Sequence, residues 1–228
     1  SYENKPPMFR VTVFFTELNH KTKMDMTMAL PNANAAREIK KYIKKAGGDS
    51  TWDRLAEFLE KKLNQKDIFV INRSFETDVE TLFDYWTNPK LIMQWLPPTN
   101  FSGKFINANI SAGGETFYQM ISGDLKMYGK IKYNEIKRPT IITYTQIFTD
   151  ENGKKSRHPM APTWPETMQI SVQFFEENKH QTRVTLTTEV VGTVTSNELE
   201  VFKRGRDGMT IGWTGSFDHL EELMTKNK

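Results

Sequence analysis

FVINRSFETDVETLFDYWTNPKLIMQWL, residues 69–96, reads as one strand followed by two short helices. A strand is expected over about 68–75. Thr77 and Glu80 have the spacing of a capping box, in which the hydroxyl and the carboxylate each satisfy an exposed backbone N–H. Val79, Leu82, Phe83 and Trp86 then recur at helical spacing and form the buried face of the first helix. Asn88-Pro89 marks a second start, with Asn as the cap and Pro at the first helical position. That short helix carries Leu91, Ile92 and Trp95, and Pro97-Pro98 stops it.

Working toward the C-terminus, strands are expected near 101–109, 115–122, 125–134, 140–149, 167–176 and 182–191. Gly113-Gly114, Lys137-Arg138-Pro139, Asp150 to Gly153 and Glu177-Asn178 supply turns. KKSRHPMAPTWPE (154–166) has three prolines and no periodicity, and reads as a long loop between strands. The final helix is expected over roughly 197–226, with Trp213, Phe217, Leu220 and Met224 on one face. A run of antiparallel strands bracketed by helices defines an α+β fold. The long helix must cover one face of the sheet, and the space between them can hold a ligand.

Working toward the N-terminus, residues 11–15 and 23–30 read as a hairpin, with Met24, Met26 and Met28 alternating with polar residues. Pro31 ends it. A short basic helix follows and breaks near Gly47-Gly48. The next helix starts at Asp49 or Ser50, with Trp52, Leu55, Leu59 and Leu63 as its apolar stripe. This strand–strand–helix unit over 9–63 corresponds to residues 168–226. Val11 falls on Ile170, Phe15 on Phe174, Thr22 on Thr182, Met26 on Leu186 and Trp52 on Trp213, at an offset of about 159 to 161 residues. The expectation is a partial unit over 1–64 and a complete domain over 65–228, joined by a polar stretch at 64–67. A lone hairpin plus helix leaves sheet edges unpaired. Three arrangements would resolve that: a first-domain portion absent from this chain, packing on the chain's own complete domain, or a homodimer.

Bulk composition narrows the function classes. Of 228 residues, 37% are hydrophobic and 12% aromatic, enough for a real core. No apolar run is long enough to span a membrane, and no signal peptide is visible. Zero cysteines exclude disulfides, thiolate catalysis and Cys-based metal sites, and are compatible with the cytoplasmic location expected here. The net charge of +3 is uneven: residues 1–66 carry 13 basic and 8 acidic side chains, and residues 67–228 carry 18 and 20. Arg37, Lys40, Lys41, Lys44 and Lys45 share one helical face, a solvated surface or a docking patch for an acidic partner. The patch is short and lacks an aromatic ladder, so nucleic acid is not the expected partner.

Four stretches together carry a family resemblance: residues 69–96, GGETFYQM (113–120), TMQISVQFFEENKHQTRVTLTTEV (167–190) and GMTIGW (208–213). They resemble the START-like, or SRPBCC, superfamily. More narrowly they are similar to the family named after the activator of the heat-shock-protein-90 ATPase. The resemblance implies a helix-grip fold: a curved antiparallel sheet wrapped around a long C-terminal helix, with two short helices after the first strand. It also implies a cavity. The superfamily includes lipid and sterol carriers, hormone receptors and polyketide cyclases, and has no shared catalytic set to carry over.

Read for chemistry, the residues give no catalytic site, no metal site and no cofactor motif. His20, His158, His180 and His219 are isolated, and none has the spacing that places two imidazoles on one helix face. No Gly-x-Ser-x-Gly elbow exists. Gly205, Gly208, Gly212 and Gly215 lack the strand and the pairing of a phosphate loop. Their expected role is steric, close helix approach or room above a ligand. Asp84, Glu115, Asp124, Tyr128 and Tyr144 are the titratable groups available to a cavity, with Asp84 expected to face solvent. The candidates for the cavity wall are Trp86, Phe117, Met127, Tyr144, Trp164, Phe202, Met209, Trp213 and Phe217, with core filling as the ordinary alternative for each.

The reading is therefore a non-catalytic binding protein with an apolar cavity for a small hydrophobic or amphipathic molecule, with a link to stress response. Its alternatives are a co-chaperone-like modulator of a chaperone ATPase and a cyclase- or isomerase-like enzyme.

Overall fold

The computed structural model describes residues 9–18, 21–46 and 49–226. By contacts the chain divides into two compact units between Asp49 and Ser50. The first unit holds the hairpin β1 (Arg10–Leu18) and β2 (Lys21–Ala29), then the helix α1 (Ala33–Ala46). Asn32 caps α1, its side chain accepting from the Ala35 N–H at 2.9 Å. The hairpin pairs Val11 with Met28, Val13 with Met26 and Phe15 with Met24. The expected break at Gly47-Gly48 and the turn residue His20 lie outside the described residues.

The second unit begins with α2 (Asp49–Asn64) and continues with β3 (Ile68–Phe75), α3 (Val79–Thr87) and α4 (Pro89–Trp95). Strands β4 (Ser102–Ala108), β5 (Glu115–Ser122), β6 (Leu125–Lys137), β7 (Ile141–Thr149), β8 (Thr167–Asn178) and β9 (Gln181–Val190) follow. Helices α5 (Ser196–Arg204) and α6 (Arg206–Lys226) close the chain. The seven strands form one antiparallel sheet in the order β3-β9-β8-β7-β6-β5-β4, so the first strand pairs with the last. This is the expected α+β helix-grip architecture.

The core lies between α3, α4, α6 and one face of the sheet. Phe75, Leu82, Trp95, Leu186, Phe217 and Leu220 are fully enclosed. Trp86 is the hub, its ring packing on Trp95 (4.7 Å), Phe174 (5.9 Å) and Trp213 (6.1 Å between centroids). The Trp95 indole N–H donates to the Tyr85 carbonyl at 3.0 Å, so the burial of its polar atom is compensated.

Two local expectations need correction. The cap of α3 is Asp78 and not Thr77 with Glu80. The Asp78 carboxylate accepts from both the Thr81 N–H and the Thr81 hydroxyl at 2.8 Å, so one side chain supplies the acceptors and the helix starts one residue later. The second cap, Asn88 with Pro89 at the first position, forms as expected. The C-terminal helix is not continuous over 197–226. It begins with a capping box of Thr195 and Glu198 and breaks at Gly205, which caps α5.

Helix α2 lies against β3, the outer strand of the sheet. Glu57 accepts from the Val70 N–H at 2.9 Å and takes the Arg206 Nε–H with both oxygens (2.7 and 3.0 Å). Asp53, 2% exposed, accepts from the Asn72 amide at 2.6 Å. An outer strand otherwise presents unpaired backbone groups, and α2 covers part of that row with the Glu57 carboxylate. Its apolar stripe of Trp52, Leu55, Leu59 and Leu63 is exposed.

Candidate functional site: an apolar cavity under the C-terminal helix

Alternation along the strands sends every second side chain to the helix side. On β5 these are Tyr118 and Met120, on β6 Met127 and Ile131, on β7 Tyr144, Gln146 and Phe148. Beyond the tightly packed Trp86 region, the same face and α6 enclose a cavity of about 520 Å³. That volume falls within the range of small-molecule sites. Gly208, Met209, Gly212 and Trp213 line it from α6. A methyl group added at Gly208 or Gly212 would meet nothing within 4 Å, so these glycines open directly onto the space.

Five of the eleven methionines line the wall: Met120, Met127, Met160, Met168 and Met209. Thioether side chains conform to irregular surfaces. The polar groups are few and neutral. The Tyr118 hydroxyl accepts from Gln146 Nε2 at 2.7 Å. Burial pushes the Tyr118 and Tyr144 phenols well above their usual range, so both remain protonated. Burial lowers the His158 pKa, favouring the neutral ring. Its Nδ1 accepts from the Met160 N–H at 3.1 Å, which leaves its proton on Nε2. The ring also meets Phe148 edge-on at 4.6 Å.

The loop 150–166 forms one wall. Met160 lines the cavity and yet is 62% exposed, which marks where the cavity reaches the surface. Arg157 anchors the loop: it donates to the Trp164 carbonyl (3.1 Å), pairs with Glu166 (3.1 Å) and pairs with Glu198 of α5. The Thr195 N–H, and then Arg157, hold Glu198 down at about 2. The Trp164 ring packs on Phe202 at 5.8 Å and lies so close to Gly205 that a Cβ there would stand 2.4 Å from it.

Of the nine wall candidates, Met127, Tyr144, Trp164, Met209 and Trp213 line the cavity. Trp86 and Phe217 do not; they fill the core at its closed end. Phe202 is buried behind Trp164. Phe117 points to the opposite sheet face, beside Tyr128 (6.2 Å) and beneath the Lys130 ammonium. Among the titratable candidates only Tyr144 reaches the cavity. Asp84 is paired with Arg138 at the surface, as expected, and Glu115 with Lys130. Tyr128 accepts from Gln119 on the outer face. Sequence reasoning missed Tyr118, Gln146 and His158. In the proposed patch Arg37 is exposed and bonds to Asn34, while the side chains of Lys40, Lys41, Lys44 and Lys45 lie outside the described residues. No cluster of three or more metal-ligating side chains occurs among the described residues.

Residues 76–225 match the family described as Activator of Hsp90 ATPase homolog 1-like protein, and the chain belongs to that family. The fold recurs in a protein from Staphylococcus epidermidis (26% identity, TM-score 0.56, 72% of this chain and 92% of that one). A protein from Arthrobacter aurescens is similar at 20% identity and TM-score 0.59, over 70% of this chain and 86% of that one. The AHSA1 protein from Silicibacter pomeroyi aligns at 15% identity and TM-score 0.55, over 71% and 99%. The last two likenesses carry the fold alone. No curated protein matches the chain.

Proposed function

We propose that this protein binds a small apolar or amphipathic molecule in the cavity beneath α6, without transforming it. The observation that carries this reading is the pair Gly208 and Gly212. Gly212 in the helix interior costs about 1 kcal/mol relative to alanine and Gly208 in the first turn costs less, and neither has a packing neighbour that demands it. What they leave is room over an apolar, methionine-rich wall. The wall contains no Asp, Glu, Lys or Arg, and that supports binding over acid–base turnover.

Titration with the neutral fluorescent amine N-phenyl-1-naphthylamine tests the reading. Wild type is expected to bind it in the micromolar range with enhanced emission. Gly212→Leu projects a side chain into the space and should abolish binding while the protein stays folded. Equal binding by the variant, or none by the wild type, would overturn the proposal. A second reading, docking to a chaperone ATPase, is supported by the family's description alone.

A further inference from the structure

The polar groups of the cavity carry chemical information beyond its apolar character. Tyr144 stands in the middle of β7 between its cross-strand partners Tyr133 and Ile170. It is 7% exposed and lines the cavity. None of the described residues hydrogen-bonds its hydroxyl. Tyr118 stands nearby, its hydroxyl occupied as an acceptor by Gln146 Nε2 and so left with its own proton to donate. Its ring is seated over Gly129, where an added Cβ would lie 2.3 Å from the Tyr118 hydroxyl. Two neutral phenols thus offer O–H donors to the same apolar space.

Each alternative head group fits this arrangement poorly. A pure hydrocarbon leaves the buried Tyr144 hydroxyl without a partner, which costs binding. A carboxylate or phosphate has to be desolvated with no cation on the wall to compensate it. An ammonium meets no carboxylate there. A carbonyl oxygen accepts from one or both phenols and needs no charge. The methionines conform to many shapes, so shape discriminates weakly, and the polar contact sets selectivity. A site built to hydrogen-bond its ligand rejects analogues that lack the group.

We infer that the cavity selects a neutral apolar molecule bearing a carbonyl oxygen, with the Tyr144 hydroxyl as the donor that reads it and Tyr118, positioned by Gln146, as the second. The inference rests on the binding reading above. The test is competition against N-phenyl-1-naphthylamine near neutral pH by 2-acetylnaphthalene, 2-ethylnaphthalene and 2-naphthoate, whose substituents are of similar size. The ketone should bind about tenfold tighter than the ethyl compound to wild type, the effect of one or two buried hydrogen bonds. The naphthoate should bind weakest. In Tyr144→Phe the ketone's advantage should shrink to less than about threefold, the ketone losing affinity and 2-ethylnaphthalene, which no longer leaves a buried hydroxyl unpaired, binding at least as tightly as to wild type. Tyr118→Phe should reduce the advantage in part. Equal affinities of ketone and ethyl compound for wild type would overturn the inference and leave the cavity reading standing. So would a naphthoate that binds as well as the ketone, or a full advantage surviving in Tyr144→Phe. If neither the probe nor any naphthalene binds, both readings fall together.

Discussion

At Gly205 an added Cβ would stand 2.4 Å from the Trp164 ring, and at Gly215 2.5 Å from the Thr99 hydroxyl, whereas at Gly208 and Gly212 it would meet nothing within 4 Å. The same substitution should therefore have opposite signs along one stretch of helix. Gly212→Ala should raise stability by about 1 kcal/mol and Gly208→Ala, in the first turn, by less, since alanine restricts the unfolded chain and favours helix. Gly205→Ala should lower it by about 1–3 kcal/mol, because a ring held by packing has to shift. Urea denaturation of the three variants checks this, and a uniform sign would refute the division of roles. The glycine cluster was visible in the sequence with a steric role, but not which glycine had which neighbour. Trp164 and Thr99 come from distant loops, and no local pattern announces them. Strand parity failed at Phe117 for a related reason. In GGETFYQM the aromatics Phe117 and Tyr118 are adjacent, so both faces look equally apolar. The contact of Tyr118 with Gly129 decides which points inward.

Whole elements were more legible than side-chain contacts. The strands at 68–75 and 115–122 fall where turn residues and composition place them, because local chemistry punctuates them on both sides. The loop 150–166 resisted reading since it has no period, and it brings His158 and Met160 to the cavity. It holds α5 through Arg157 with Glu198 and through Trp164 packed on Phe202, and Glu166 paired with Arg157 and Lys155 braces the loop internally. Hydrogen bonds, first from the Thr195 N–H, hold the Glu198 carboxyl at about 2 against an ordinary 4.5, and Lys155 lowers Glu166 as well. A carboxyl depressed in the folded state contributes stability that is full above the ordinary value and disappears as pH falls through the folded one. The contribution is thus present at neutral pH and lost between about pH 4.5 and 2. Glu198→Gln keeps an amide that can serve the capping box and removes the charge facing Arg157. Its melting temperature should lie below that of wild type at pH 7, and the two curves should converge as pH falls to about 2. A constant difference across that range would show that the ion pair contributes nothing.

At the scale of the whole chain, the question is which N-terminal residues the cavity-bearing unit needs. The family match starts at residue 76 and leaves the hairpin, α1, α2 and β3 outside it. The expected partial repeat over 9–63 finds no support there: the family matches the chain once, over 76–225. Helix α2 departs from its expected counterpart. In α6 the residues Phe217, Leu220 and Met224 are buried, whereas Leu55, Leu59 and Leu63 of α2 are exposed and its acidic face meets β3. By function α2 is then an edge cover for the complete domain. Two truncations separate these roles. A chain of residues 50–228 should keep the stability of the second unit and its full affinity for N-phenyl-1-naphthylamine. A chain of residues 66–228 loses Glu57 and leaves Arg206 without its ion-pair partner in a site where its Nη2 already lacks an acceptor. Removing one member of such a largely buried pair should cost about 3 kcal/mol. It also bares the backbone of β3, so size-exclusion chromatography should show self-association that the longer truncation lacks. Equal stability and equal elution of the two truncations would mean that α2 belongs with the hairpin after all, and that the sheet needs no cover at β3.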